Sequence, residues 1–135
     1  MSKETSANSI HIRRSGLGRA RGLGTAKSGS AHWWAERVTS AALLPLVLYF
    51  VLSVLLLKGA DHAQMAAYMA KPWNTVLYLA LIAALFSHLS MGMQAVIEDY
   101  VRTDSTRIIS LLVVKAGIAL LALASFISVL KLAFS

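Results

Sequence analysis

Three long runs of apolar residues constrain this chain more than any other feature of its sequence. They extend over residues 38–57, 73–97 and 108–130. A run of about 20 apolar residues forms about 30 Å of helix, which matches the hydrocarbon thickness of a bilayer. The sequence therefore predicts an all-α integral membrane protein in which residues 38–135 form an anchor of three transmembrane helices.

The composition excludes several classes of function. Of the 135 residues, 57% are hydrophobic and 14% are charged, whereas soluble domains carry about 25% charged residues. Once the three spans are set aside, too little chain is left for a soluble catalytic domain. The chain has no cysteine, so it holds no disulfide, thiolate metal site or cysteine nucleophile of its own.

The segment before the first span, residues 1–37, is predicted to be a flexible basic arm. Its frequent glycines disfavour a helix, and its charge is strongly positive. Excess Lys and Arg beside a span marks the cytoplasmic side, so we expect a cytoplasmic N-terminus rather than a nucleic-acid-binding segment. An organelle transit peptide is the alternative for this composition. Seven of the chain's thirteen basic residues lie here: Lys3, Arg13, Arg14, Arg19, Arg21, Lys27 and Arg37.

One histidine, His88, lies inside the second apolar run, twelve positions before Tyr100. That spacing corresponds to about 18 Å of helix, from the middle of the bilayer to its edge. An ionisable side chain at this depth marks a functional site by default. A neutral imidazole can bind haem iron axially, with the second ligand supplied by another chain. From the residues alone, a packing histidine or a proton relay stays open.

Charged and aromatic residues at the ends of the spans each admit two interpretations. Asp99 and Tyr100 are either an ordinary helix end at the headgroups, or an acid beside a phenol that donates to the carbonyl oxygen of a lipid-soluble ligand. Arg37 lies at the mouth of the first span, where a buried anion could pair with it. For Lys115 within the third span, snorkelling to the interface is favoured over pairing with a buried carboxylate.

Two separated motifs carry a resemblance to a known family. The first is His88 followed by Gly92-Met93 and Asp99-Tyr100, and the second is the N-terminal sequence Gly22 to Gly29 followed by His32-Trp33-Trp34 and Arg37-Val38-Thr39. Together with the three-span layout, they resemble the smaller membrane anchor of succinate dehydrogenase (succinate:quinone oxidoreductase).

The resemblance implies specific cofactors and roles. His88 is expected to be the metal ligand on this chain, one axial ligand of a b-type haem shared with a second anchor subunit. Tyr100 is expected to hydrogen-bond a carbonyl of ubiquinone, the substrate, with Asp99 beside it. Arg37 is expected to face the haem propionates or the quinone pocket, with His32 assisting.

The resemblance also implies partners and a location. A flavoprotein subunit, an iron–sulfur subunit and the second anchor would complete the complex, and this chain would be a non-catalytic anchor through which electrons from succinate reach quinone in the tricarboxylic acid cycle and the respiratory chain. The expected location is a bacterial inner membrane, favoured over a mitochondrial inner membrane. Two alternatives remain: an anchor of quinol:fumarate reductase, and a non-redox membrane scaffold.

Overall fold

A computed structural model describes the backbone of residues 26–135 and the side chains from residue 29 onward. The described chain is helical throughout apart from short connections and contains no β-strand, which confirms the all-α prediction. Residues 32–135 form one compact unit. The four described helices are α1 (Ala26–Leu56), α2 (His62–Met69), α3 (Pro72–Tyr100) and α4 (Asp104–Ala133).

The three long helices have the length and composition of membrane spans. The apolar stretches are 28, 29 and 30 residues long, and only 6%, 6% and 0% of their most apolar windows are buried inside the chain. Apolar side chains therefore cover the outside of the bundle. Such a surface is favourable in lipid and unfavourable in water, so the predicted three-span membrane protein is confirmed.

The first helix begins earlier than the predicted span. α1 starts at Ala26, so residues 26–37, which the sequence analysis assigned to the arm, are helical. One glycine is the only helix breaker in that stretch, and a helix can project beyond the hydrocarbon into the interface. The predicted flexible coil over residues 1–25 lies outside the described residues.

Helices α1 and α3 run antiparallel, as their side-chain contacts show. Thr39 of α1 contacts His88 of α3, whereas Tyr49, farther along α1, contacts Asn74 near the start of α3. Helices α3 and α4 also pack along each other, and α2 contacts both. Residues before Thr39 therefore lie at the same end of the bundle as residues after His88.

The connection between the first two spans contains a helix that the sequence analysis did not predict. Gly59 has φ of 83°, a left-handed conformation that glycine adopts without steric cost. Asp61 then caps α2: its carboxylate accepts from the Gln64 backbone N–H at 2.8 Å, and the Gln64 side chain accepts from the Asp61 N–H at 3.1 Å. This reciprocal capping box stabilises a helix that would otherwise be short and marginal.

A set of hydrogen-bonded side chains joins α1, α2 and α3 at the end of the bundle near this connection. The Tyr49 hydroxyl donates to Asn74 Oδ1 at 2.7 Å and lies 2.8 Å from the Tyr68 hydroxyl, which is 2.9 Å from Ser53 Oγ. Asn74 Nδ2 donates to the Tyr68 carbonyl at 2.7 Å. The ring of Tyr78 packs edge-on against Tyr49 at 6.1 Å. We call Tyr49, Ser53, Tyr68 and Asn74 the tyrosine network.

Candidate functional site

His88 lies on α3 and is held by hydroxyl groups of α1. Its Nδ1 is 3.2 Å from Thr39 Oγ1 and 3.5 Å from Ser40 Oγ. The ring is half-buried, and no hydrogen bond to its Nε2 comes from any residue in the range 29–135. One ring nitrogen is thus engaged within the chain, and the other is left for a group from outside it.

The two hydroxyls that meet His88 are themselves bonded to the backbone of α1. Thr39 donates to the carbonyl of Ala35 at 2.8 Å or of Glu36 at 3.0 Å, and Ser40 donates to the carbonyl of Glu36 at 2.8 Å. Back-bonding of this kind is the ordinary way in which a helical hydroxyl satisfies its proton. It leaves the oxygen lone pairs available to an N–H donor on α3.

Asp99 and Tyr100 are the last two residues of α3, and both are exposed. Tyr100 is 80% exposed. The neighbouring Glu98 accepts from Gln94 at 2.7 Å across one turn of the same helix. The carboxylate and the phenol of the predicted ligand-binding pair are therefore open to a molecule arriving at this end of the bundle.

Arg37 stacks on a tryptophan one turn earlier in α1. Its guanidinium carbon lies 4.5 Å from the centre of the Trp33 ring, and Trp33 meets Trp34 edge-on at 5.3 Å. A cation over an indole face is attracted by the ring quadrupole, so the stack orients the guanidinium. Arg37 and both tryptophans line an open groove of about 830 Å³ together with Ser40 and other residues of α1.

His32 has a buried ring nitrogen without a partner: among the described residues, nothing hydrogen-bonds its Nε2. It precedes Thr39 by seven residues, so it lies on the same face of α1 and about 10 Å closer to the helix start. Since Thr39 faces α3, His32 does too.

The five predicted site residues come to one end of the bundle and are not hydrogen-bonded to one another. Within residues 29–135, no hydrogen bond or ion pair joins any two of them, and the one described ion pair links Arg107 to Asp104. The antiparallel arrangement of α1 and α3 nevertheless places them all between the level of the half-buried His88 imidazole and the same helix ends. They are His32, Arg37, His88, Asp99 and Tyr100.

Lys115 of α4 lines a second groove of about 640 Å³ between α1, α3 and α4, together with Thr39, Ser87 and Met91. It is exposed, and no residue in the range 29–135 forms an ion pair with it. Snorkelling of Lys115 to the membrane interface stays a prediction.

The donor atoms fit a haem ligated by one histidine of this chain. The described residues hold no group of three His, Cys, Asp or Glu side chains that could bind a metal ion, so a self-contained metal site is absent from that part. Among the histidines that the structure describes, His88 combines depth in a span, a bonded Nδ1 and a free Nε2. Haem iron can accept one axial imidazole from this chain and a second from another.

The comparisons with known proteins identify the family of the chain. Residues 11–125 match the family described as Succinate dehydrogenase/Fumarate reductase transmembrane subunit. The chain belongs to this family. The recognition made from the motifs of His88 and Tyr100 is therefore confirmed at the level of the family.

Individual relatives of the succinate dehydrogenase anchor family cover most of the chain. The hydrophobic membrane anchor subunit of Rickettsia bellii is 34% identical over 103 residues, which are 76% of this chain and 82% of that protein. The anchor subunit of Reclinomonas americana is 32% identical over 66% of this chain and 77% of its own length. That of Paracoccus denitrificans is 28% identical over 79% and 83%. No solved structure matches the chain.

Several residues of this family member that matter structurally were missed from the sequence. Thr39 and Ser40 were not recognised as partners of His88, although two adjacent hydroxyls inside an apolar span are a signal of a polar neighbour. The tyrosine network was also not predicted. The signal for it was the spacing of Tyr49 and Ser53, which lie one helical turn apart on the same face of α1.

Proposed function

We propose that this chain is the smaller membrane anchor of a succinate:quinone oxidoreductase. It would work beside a flavoprotein subunit, an iron–sulfur subunit and a second anchor. Family membership supports this, as do the printed names of relatives, which specify succinate dehydrogenase. Those names favour succinate oxidation over the quinol:fumarate reductase alternative. Dicarboxylate chemistry belongs to the soluble partners, and this chain positions and assists.

His88 is the residue that we assign to a b-type haem, through Nε2. Its free Nε2 at mid-span supports the assignment, and the second axial ligand would come from the other anchor. A bound haem supplies a one-electron centre at this depth. The chain's own contribution is to keep the imidazole fixed by bonds to hydroxyls of α1.

Asp99 and Tyr100 are assigned to ubiquinone reduction. The quinone gains two electrons and two protons as it becomes quinol. The Tyr100 hydroxyl donates a hydrogen bond to one carbonyl oxygen of the quinone, which favours the growth of negative charge on that oxygen as electrons arrive. Asp99 is an exposed carboxylate next to it, and it passes protons from the aqueous side toward the reduced oxygens.

Arg37 and His32 complete the polar surroundings of this end. The Arg37 guanidinium, oriented by Trp33, is suited to a propionate or to a quinone oxygen because it presents several N–H donors in one plane. The buried Nε2 of His32 has no described partner within the chain, which supports a role toward a bound group.

The orientation of the chain follows from charge. The basic arm predicts a cytoplasmic N-terminus, and with three spans the Asp99-Tyr100 end returns to the same side. This places the quinone end beside soluble subunits docked on the cytoplasmic face. A bacterial inner membrane is the proposed location, since Rickettsia and Paracoccus relatives cover most of the chain.

The observation that carries the proposal is the placement of His88 and Tyr100 on one helix of a family member, one deep with a free nitrogen and one exposed at the end. We expect Tyr100→Phe in the purified four-subunit complex to lower succinate-to-ubiquinone turnover by about 10-fold or more, since a hydrogen bond to a charged acceptor contributes about 1.5–3 kcal/mol. The b-type absorption band should be unchanged. His88→Ala should weaken or shift that band.

Ser128→Ala is a matched control, because this exposed α4 hydroxyl bonds only to the Ala124 carbonyl of its own helix. It should leave both readouts at the wild-type level. Unchanged quinone turnover in Tyr100→Phe would remove the quinone assignment. A complex without any haem band, or with a band that His88→Ala leaves intact, would remove the haem assignment from this chain.

A further inference from the structure

We infer that Thr39, supported by Ser40, is a positioning residue that fixes the tautomer of His88 so that Nε2 is the ligating nitrogen. This inference rests on the proposed haem function. It concerns a contact between α1 and α3 that neither the motif of His88 nor the depth of the ring predicts.

The argument begins with the single proton of each hydroxyl. Thr39 Oγ1 lies 2.8 Å from the Ala35 carbonyl and 3.0 Å from the Glu36 carbonyl. Both carbonyls lie closer to Oγ1 than His88 Nδ1 does at 3.2 Å, and both can only accept, so the Thr39 proton goes to one of them. Ser40 gives its proton to the Glu36 carbonyl at 2.8 Å. Both hydroxyl oxygens consequently face His88 with lone pairs.

The ring nitrogen that meets these lone pairs must supply the proton. Nδ1 lies 3.2 Å from Thr39 Oγ1 and 3.5 Å from Ser40 Oγ, and since both hydroxyl protons go to carbonyls of α1, we assign Nδ1 as the N–H donor to Thr39. A neutral imidazole has one N–H. Nε2 therefore bears the free lone pair, and within residues 29–135 nothing competes for it.

This arrangement is the usual support for a metal-bound histidine. Such a residue donates its second ring N–H to an oxygen acceptor, which fixes the ring orientation and makes the ligating nitrogen a stronger donor. A stronger donor favours the oxidised iron. Thr39 would therefore lower the potential of a haem held by His88 and hold the ring in place, and it would act through the His88 ring.

The test is a redox titration of the b-type band in the purified complex carrying Thr39→Val or Thr39→Ser. Valine has nearly the shape of threonine but accepts no hydrogen bond, whereas serine keeps the hydroxyl. We expect Thr39→Val to raise the midpoint potential and to weaken haem retention on the order of tenfold, and Thr39→Ser to remain close to wild type. Combining Thr39→Val with Ser40→Ala should shift the potential further.

The outcomes separate this inference from the proposed function. If His88→Ala abolishes the band while Thr39→Val leaves potential and retention unchanged, the haem assignment stands and the role of Thr39 is overturned. Equal shifts in the valine and serine variants would also overturn it, because packing and not the hydroxyl would then be responsible. A band that survives His88→Ala removes the proposed haem ligand itself.

Discussion

The two ends of the helical bundle satisfy their polar groups in different ways. At one end, the tyrosine network joins three helices through side chains of this chain alone, with Ser53 1% exposed and Asn74 8% exposed. At the other end, Tyr100 is 80% exposed, and the described aromatic contact of Arg37 is a stack on its own helix. We call these the closed end and the open end.

This difference suggests different roles: the closed end stabilises the fold, and the open end is suited to binding another molecule. Polar groups within hydrocarbon must be paired, because no water is available to them. The closed end pairs its hydroxyls and amide internally, so it needs no other molecule. The open end keeps donors and acceptors that have no partner in the described part of the chain and are available to water, headgroups, a partner subunit or a ligand. An end that is incomplete within one chain is the expected place for a shared site.

The largest expected effect comes from breaking the closed end with Asn74→Leu. The substitution removes one acceptor of the Tyr49 hydroxyl, which keeps the Tyr68 hydroxyl as a partner, and it leaves the half-buried Tyr68 carbonyl without its donor. An orphaned group of this kind costs about 1–3 kcal/mol, and bonds between membrane helices lie at the lower part of that range. Thermal unfolding of the purified complex should show a clear loss of stability, with the haem band of the surviving complex unchanged.

Ser128→Ala is the control for this variant as well, since it removes an exposed hydroxyl and orphans no buried partner. A stability loss in Asn74→Leu no greater than in this control would contradict the description of the closed end. A shifted haem band in Asn74→Leu would instead show that the two ends are coupled.

The sequence alone predicts those features of the fold and site that depend on a single helix. The lengths of the apolar runs give three spans, and the depth of His88 marks a site, because each is a property of a local stretch. The same holds for the exposed pair Asp99 and Tyr100 at the end of α3. These predictions required no knowledge of how the helices face one another.

Contacts between helices could not be predicted in this way. The pairing of Thr39 with His88, and of Tyr49 with Asn74, depends on the register of two antiparallel helices, which the turn at Gly59 and helix α2 set. Each residue taken singly has an ordinary explanation as an interfacial or back-bonded side chain. It is the register of the two helices that brings Thr39 next to His88 and assembles the tyrosine network.

The second expected effect concerns the open end, through Arg37. Replacing it by glutamine removes the charge that we assign to a propionate or a quinone oxygen, while lysine keeps the charge and loses the planar stack on Trp33. A charge-assisted hydrogen bond contributes about 1.5–3 kcal/mol, so Arg37→Gln should lower succinate-to-ubiquinone turnover by about tenfold or reduce haem content. Arg37→Lys should retain part of the quinone turnover and part of the haem content.

Thermal unfolding distinguishes this result from a general loss of structure. The stack on Trp33 contributes about 0.5–1 kcal/mol at an exposed position, so Arg37→Gln should destabilise the complex much less than Asn74→Leu does. Equal destabilisation by the two variants would mean that the open end also stabilises the fold, and the contrast between the ends would fail.

The smallest effect is expected from the ion pair of Asp104 with Arg107, which lies beside the open end at the start of α4. The two atoms are 2.7 Å apart, but the Asp104 side chain is 81% exposed, and exposed pairs of this kind contribute under about 1 kcal/mol. Asp104→Asn should therefore leave unfolding temperature, haem band and quinone turnover close to wild type. Raising the salt concentration should not separate the variant from the wild type, because solvent already screens the pair. A destabilisation as large as that of Asn74→Leu would show that the open end stabilises itself through its surface charges and is not left incomplete for a partner.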